Sequence, residues 1–177
     1  MMHQEIIIAG FGGQGILSAG RLLAYAGMLE KKNVSWLPSY GPEIRGGTAN
    51  CHVIISEDTI GSPILNSATT LIVMNKPSLE KFENLVVSGG IIISDSSLID
   101  KKSERKDITT YEIPATKMAS DMGNTTYANI ILLGKLIAKT GVISVESFEQ
   151  GLKKVLPQKY HHMIPEEIKA LEMGMNY

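Results

Sequence analysis

The sequence opens with a short apolar run that ends at a cluster of glycines and leads into a helical pattern. Residues 5–9 read EIIIA, and a β-branched run of this length is typical of a strand buried on both faces. From about residue 14 to residue 31, apolar side chains recur at helical spacing: Ile16, Leu17, Ala19, Leu22, Leu23, Ala26 and Leu29. A strand, a tight glycine turn and an amphipathic helix in this order predict an α/β fold.

The rest of the chain continues this alternation and then changes character. Short apolar or alternating runs predict strands at residues 33–37, stopped by Pro38, and at residues 48–56, 70–74, 90–94 and 107–113, the last at a sheet edge. Helical spacing predicts helices at residues 77–85, 127–139, 144–156 and 165–174. We therefore expect a three-layer, Rossmann-like, mostly parallel sheet flanked by helices, with a helical C-terminal third, and a single domain over residues 1–177.

Composition excludes several classes of function. The formal net charge is −1, which disfavours a nucleic-acid-binding surface. No apolar run approaches the roughly 20 residues of a membrane span, and the start MMHQEIIIAG lacks the basic head of a signal peptide, so we expect a cytoplasmic protein. Cys51 is the only cysteine. A cysteine-ligated zinc or iron–sulfur site within this chain is therefore excluded, and we expect no metal site.

The glycine turn, Gly10-Phe11-Gly12-Gly13-Gln14-Gly15, fits the G-x-G-x-x-G pattern between a strand and a helix. Free amides at a helix start favour a phosphate or carboxylate, although the glycines alone are also explained by a tight turn. The predicted second strand ends without the acidic residue that holds a ribose, and no Tyr-x-x-x-Lys or His/Asp proton-transfer set is found, so a Rossmann-type dehydrogenase is disfavoured. A Walker site is excluded because Ile16 and Leu17 follow the turn.

A second motif, SYGPEIRGGTANC at residues 39–51, carries charge between two turns. Gly41-Pro42 and Gly46-Gly47 set the turns, and Glu43 and Arg45 lie between them. Arginine offers a planar fork for a carboxylate or phosphate, but Glu43 and Arg45 also have a simpler explanation as a local ion pair. Because the motif follows the second strand, we expect it at the same carboxyl edge of the sheet as the glycine turn.

Together, IIIAGFGGQGILSAGRLLA and PSYGPEIRGGTANC resemble the gamma subunit of the 2-oxoacid:ferredoxin oxidoreductases. The resemblance is strong over residues 5–56 and less distinct beyond them. The tail Ile168 to Gly174 is similar to the closing Lys-Ala-x-x-x-Gly pattern of that family, whereas Glu167 stands where an Asn is common.

The resemblance implies a role inside a larger assembly. Such complexes convert a 2-oxoacid and coenzyme A to acyl-CoA and carbon dioxide and pass electrons to ferredoxin. Thiamine diphosphate lies between alpha and beta subunits, and iron–sulfur clusters lie in beta or delta chains, so this chain alone would hold no cofactor and no catalytic residue. Coenzyme A is the co-substrate whose access the gamma chain shapes.

The same resemblance implies the residues of the site. It implies that the glycine turn binds phosphate through Gly10, Gly12, Gly13, Gln14 and Gly15. Interface or site shaping falls on the second motif: Tyr40, Gly41, Glu43, Arg45, Gly46 and Gly47.

The segment SWLPSYGPEIRGGTANC is most similar to the 2-oxoglutarate branch of the family. A gamma chain of a pyruvate, 2-oxoisovalerate or indolepyruvate oxidoreductase is the alternative, as is a free-standing coenzyme A- or nucleotide-binding module. The isolated chain can also form a homodimer in this interpretation. Cys51 and His52 do not form a nucleophile pair in this interpretation, because neighbours in a strand point to opposite faces.

Overall fold

The structure, a computed structural model, describes residues 1–40 and 47–177, with only the backbone of Tyr40. Its six strands are β1 (His3–Phe11), β2 (Asn33–Tyr40), β3 (Thr48–Ser56), β4 (Ala68–Val73), β5 (Val86–Asp95) and β6 (Thr109–Ile113). Its α-helices are α1 (Ile16–Leu29), α2 (Lys76–Phe82), α3 (Ala115–Asp121), α4 (Ala128–Thr140), α5 (Val145–Val155) and α6 (Ile164–Asn176). Short 3₁₀ turns occupy Glu83–Leu85, Thr125–Tyr127 and Gln158–Met163.

The strands form one sheet in the order β2-β3-β1-β4-β5-β6. β1, β4, β5 and β6 pair in parallel, whereas β3 is antiparallel to both of its neighbours. β2 therefore runs in the direction of β1. The mostly parallel sheet and the edge position of β6 are confirmed, and the reversal of β3 agrees with its short connection to β2, since parallel neighbours need a longer crossover.

The prediction that the second strand stops at Pro38 is wrong. β2 continues to Tyr40, and Pro38 is paired in register with Cys51 of β3. Proline lacks the backbone N–H that a strand residue can donate to a neighbouring strand, but β2 is an outermost strand and has a neighbour, β3, on one side only. An edge strand tolerates the missing hydrogen-bond donor, so β2 continues into the second motif.

Side chains of the central strands alternate between two buried layers. Ile6 and Ile8 of β1 face a core formed with α1, α4, α5 and α6, whereas Ile7 packs on the opposite face with Leu79 of α2 and Leu65 of a loop. Burying each isoleucine contributes roughly 1.5–3 kcal/mol. The sheet is thus covered on both faces, which confirms the predicted three-layer architecture.

The C-terminal third is helical, as predicted, and its central helix is buried within the chain. α4 packs mainly on α6, and the close approach depends on two glycines. A Cβ at Gly134 would overlap the carbonyl of Leu171, and a Cβ at Gly174 would overlap the carbonyl of Ile131. The apolar circumference of α4 is therefore explained by contacts inside this fold.

A partly exposed ionic cluster fixes the start of α5 against the end of α1. Glu30 accepts hydrogen bonds from Lys32 Nζ at 2.7 Å and from the Ser144 backbone N–H at 2.7 Å, and Ser144 caps α5 through Ser147 N. Burial opposes ionisation, but these hydrogen bonds outweigh it and lower the pKa of Glu30 to about 2. α1 and α5 are thereby held in a fixed relation.

Within the described ranges, none of the helices has both the length and the apolar character to cross a membrane.

Candidate functional site

The two motifs meet at the carboxyl edge of β1, on the side of β3, and a crevice lies on the other side of β1, next to β4. After β1 the chain turns into α1 on one face, and after β4 it turns into α2 on the other face. Two adjacent parallel strands that send their helices to opposite faces leave a crevice between them, where ligands of open α/β sheets commonly bind. The glycine turn lies on this crevice.

The last glycine of the turn needs its special conformation. Gly15 has φ +73°, and a Cβ at this position would overlap the side-chain amide of Asn129 on α4. Asn129 Nδ2 donates to the Gly15 carbonyl at 3.1 Å. Gly15 begins α1 without a side-chain cap, so the first amides of the helix rely on backbone, solvent or a ligand.

Gln14 joins the ends of the two strands. Its Oε1 accepts from the Phe11 N–H at 2.6 Å, and its Nε2 donates to the Met74 carbonyl at 3.1 Å. One side chain therefore ties the end of β1 to the end of β4. In this geometry Gln14 shapes the turn, and Gly10 lies next to the Gln14 side chain. Gly12 and Gly13 are exposed.

The glycine turn is bonded directly to the flank of the second motif. The Gly12 N–H donates to the Gly47 carbonyl at 2.9 Å, and Phe11 is paired with Thr48 where β1 meets β3. The backbone of Tyr40 pairs with Ala49 at the same edge. The predicted site residues Gly41, Glu43, Arg45 and Gly46 lie outside the described residues.

The crevice opens into a cleft of about 310 Å³ next to the glycine turn. Gly13, Gln14 and Gly15 form one wall, together with Met74. Side chains from later in the chain form the other wall: Leu98, Thr116, Thr125, Thr126, Ala128 and Asn129. The hydroxyl-rich second wall was missed by sequence reasoning, because its residues carry no motif and come from three separate segments.

Thr116 reaches the cleft because α3 is anchored by a buried aspartate. Asp95, at the end of β5, is fully buried and accepts from the Thr116 N–H at 3.1 Å and from its hydroxyl. It also accepts from Ser97 N at 3.0 Å. The sequence did not predict α3, and the start of this helix depends on a carboxylate that lies about twenty residues earlier in the chain.

The described lining of the cleft mixes polar and apolar groups and carries no charge. It combines glycine amides, three threonine hydroxyls and the Asn129 amide, with Met74 and Leu98 as apolar contacts. Such a lining suits a neutral polar group or an anion held by amides and hydroxyls. In residues 1–40 and 47–177, no cluster of three or more His, Cys, Asp or Glu side chains is arranged to hold a metal ion.

Cys51 and His52 lie on opposite faces of β3, as predicted. Cys51 is buried against α1, and burial raises the pKa of its thiol to about 12, although hydrogen bonds from Trp36 and Gly20 oppose the shift. His52 instead accepts from the Leu65 N–H at 3.2 Å, and burial lowers its pKa. A thiol with so high a pKa is a poor nucleophile, so this pair has a structural role.

We expect replacement of Gln14 by alanine to lower the free energy of unfolding by about 1–2 kcal/mol, since two hydrogen bonds to backbone groups are lost. Chemical denaturation measures this change. The control is Gln150→Ala, at an exposed position of α5, which should change stability by less than about 0.5 kcal/mol. Equal stability of the two variants would show that Gln14 does not join the strands.

Comparison with known proteins gives one family and several relatives. Residues 5–177 match the family model described as pyruvate ferredoxin/flavodoxin oxidoreductase. The chain is 38% identical over 175 residues to ketoisovalerate oxidoreductase subunit VorA of Methanothermobacter marburgensis, covering 98% of this chain but only 36% of that one. It is 35% identical over 160 residues to 2-oxoglutarate synthase subunit KorC of Methanocaldococcus jannaschii, covering 89% and 86%.

Two solved structures share the fold. The gamma subunit of a keto/oxoacid ferredoxin oxidoreductase from Geobacter sulfurreducens aligns with a TM-score of 0.85 and 29% identity, over 99% of this chain and 96% of that one. The 2-oxoglutarate:ferredoxin oxidoreductase of Magnetococcus marinus, with 2-oxoglutarate, coenzyme A and succinyl-CoA bound, aligns with a TM-score of 0.90 at 22% identity. That alignment covers 99% of this chain and 31% of the longer one.

Proposed function

Because this chain belongs to the pyruvate ferredoxin/flavodoxin oxidoreductase family, we propose that it acts as the gamma-type subunit of a 2-oxoacid:ferredoxin oxidoreductase. The complex would oxidise 2-oxoglutarate with coenzyme A to succinyl-CoA and carbon dioxide and pass the electrons to ferredoxin. The observation that carries the proposal is the hydrogen bond from Gly12 to Gly47, since it joins the two motifs on which the family resemblance rests.

The choice of 2-oxoglutarate is supported by the second motif and by the KorC relative, whose similarity covers most of both chains. The VorA relative, at 38% identity, favours 2-oxoisovalerate as the second candidate. Assays of the assembled complex with each oxoacid, following coenzyme A-dependent reduction of an acceptor, decide between them. We expect the highest kcat/KM with 2-oxoglutarate. A higher kcat/KM with 2-oxoisovalerate would show that 2-oxoisovalerate is the substrate instead.

The role of this chain in the complex is to form part of the coenzyme A entrance. The cleft offers amides and hydroxyls but no described charged side chain, whereas coenzyme A carries several phosphate charges. We therefore assign the balancing charge to Arg45 and to the partner subunits. Thiamine diphosphate and the iron–sulfur clusters would lie in alpha, beta or delta partners, and the complex would work in the cytoplasm.

Purification of the tagged chain from its native cell tests the assembly. Alpha- and beta-type thiamine-enzyme subunits should co-purify and be identified by mass spectrometry. If they are absent and the isolated chain binds coenzyme A with micromolar affinity by calorimetry, the free-standing module is the correct function instead. Sedimentation of the isolated chain tests the alternative of a homodimer.

Replacement of Arg45 by alanine in the reconstituted complex should raise the KM for coenzyme A about tenfold, equivalent to about 1.4 kcal/mol, or prevent assembly. Lys153→Ala, which removes an exposed cation of α5, serves as the matched control and should leave the KM unchanged. Intact assembly with wild-type kinetics in Arg45→Ala would rule out the role given to the second motif.

A further inference from the structure

Behind the cleft lies a second, smaller cavity between α1, α4, α5 and α6. Its volume is about 150 Å³, and it shares Thr126 and Asn129 with the cleft. Most of its wall is aliphatic: Ala19, Leu22, Ile130, Leu152, Val155 and Leu156. Among the described residues of this wall, Glu167 of α6 is the one carboxylate.

Glu167 is buried without a counter-ion. Its exposed fraction is 7%, and among the described residues no hydrogen bond or salt bridge to its carboxylate is found. Burial alone raises the pKa of Glu167 to about 7. An ionised carboxylate buried in an apolar wall without a partner is costly.

A second oxygen in the same wall also lacks a partner. Asn129 Oδ1 is buried without a hydrogen bond among the described residues, and its Nδ2 is committed to the Gly15 carbonyl. Reversing the amide would set two oxygens against each other, so this orientation is fixed by chemistry. The cavity is therefore lined by two acceptor side chains, Glu167 and Asn129, which together carry three side-chain oxygens.

We propose that this cavity binds a single primary ammonium group on a short aliphatic stem, held by the Glu167 carboxylate and the Asn129 amide oxygen. An ammonium group has three donors, which match these acceptors, and the aliphatic wall packs against the stem. An anion would find no cationic side chain among the described lining residues. Entry is available along the side of Ser18 and Thr126, since both residues line the cavity and are exposed.

Other charges do not account for Glu167. Among the described residues, the rest of the lining holds no lysine, arginine, aspartate or glutamate, and its only other titratable side chain is Tyr127, from the turn before α4. The ammonium group can belong to a lysine of a partner subunit or to a free small amine. Both sources present the same chemistry, and they differ in whether the cavity is already filled in the assembled complex.

The test is a pH titration of the full chain, labelled with ¹³C at its glutamate carboxyl groups and followed by NMR. It is carried out in butylammonium chloride and in sodium chloride of equal ionic strength, and the midpoint of each chemical-shift change is measured. The Glu167 signal is assigned by its loss in Glu167→Gln. We expect saturating butylammonium to lower the Glu167 midpoint by about one pH unit or more, because a neighbouring cation favours the charged form, while Glu166, which is exposed, does not move. An unchanged Glu167 midpoint at about 100 mM amine, a level that detects even millimolar affinity, overturns the proposal.

Two further measurements make the result specific. Ser18→Leu fills the cavity from α1 while keeping Glu167, so the butylammonium effect should disappear; its persistence would overturn the proposal. In the assembled complex, a Glu167 midpoint that is already low and insensitive to butylammonium identifies a partner lysine. A midpoint that is high and falls with butylammonium identifies a free amine, and one that is high and insensitive overturns the proposal.

Discussion

Gly174→Ala should lower the free energy of unfolding by about 3 kcal/mol, because the new methyl group overlaps backbone rather than a movable side chain. The overlapped atoms belong to the Ile131 carbonyl of α4, which is itself committed to a buried helix. α4 and α6 must then separate along their contact, and the packing of both helices is weakened. In a chain of this size the melting temperature should fall by roughly 6–12 °C.

The matched control is Gly151→Ala on α5. Gly151 is also a buried helical glycine, but its added Cβ would lie 3.3 Å from the movable Leu22 Cδ1. Alanine is the better helix former by about 1 kcal/mol, so this variant should be neutral or slightly stabilising. Urea denaturation of both variants measures the difference. Equal stability would mean that the close crossing of α4 and α6 is not as the structure has it.

Glu167→Gln should stabilise the isolated chain by about 2 kcal/mol at pH 8.5. Burial raises the pKa of Glu167 to about 7 from an ordinary value of 4.5. A shift of this size corresponds to roughly 3 kcal/mol of destabilisation when the group is ionised. Glutamine removes this destabilisation, but burying its amide has a cost of its own, so the expected net stabilisation is smaller.

The sign of the pH dependence follows from proton binding. Between pH 4.5 and about 7 the folded chain keeps a proton that the unfolded chain has lost, so stability falls as the pH rises through this window. Below pH 4.5 both states are protonated, and the stabilisation by Gln should shrink towards zero. The difference between wild type and Glu167→Gln should therefore grow from pH 4.5 to pH 7 and then level off.

Denaturation at a series of pH values measures this difference. Glu166→Gln changes the exposed neighbour of Glu167 on the same helix and should give no pH-dependent change. Because histidines and other carboxylates titrate in both variants, the comparison isolates Glu167. A constant difference between wild type and Glu167→Gln across the range would contradict an unpaired buried carboxylate.

Local sequence signals predicted the elements that depend on neighbouring residues. β1, α1 and β3 lie at the predicted positions, and Ser144 caps α5 as expected. The family resemblance drawn from residues 5–56 is confirmed and extends over residues 5–177. Each of these features rests on periodicity, glycines or caps within a few residues, which a single sequence displays directly.

Features that depend on distant contacts were missed. The start of α3 is set by Asp95, and the course of β2 past Pro38 is set by its edge position. The polar wall of the cleft comes from Thr116, Thr126 and Asn129, which the fold alone brings opposite the glycine turn. The available signal was the polar segment before α4, whose Asn124 caps the Thr125–Tyr127 turn.

The glycine turn lies where the sequence predicted it, and its binding role stays a prediction. Its convergence with Gly47 was expected from strand order and is present. Gln14, which was assigned to ligand contact, is engaged in joining β1 to β4, so any contact with a ligand would be additional. The binding roles of the other turn residues and of Arg45 stay predictions.

The central claim is that this chain forms part of a coenzyme A entrance and does no redox chemistry alone. The most direct measurement compares coenzyme A-dependent 2-oxoglutarate oxidation, with a reducible acceptor, for the isolated chain and for the complex reconstituted from all its subunits. We expect turnover by the complex and none by the isolated chain. Turnover by the isolated chain, or a complex without this chain that shows the same KM for coenzyme A, would contradict it.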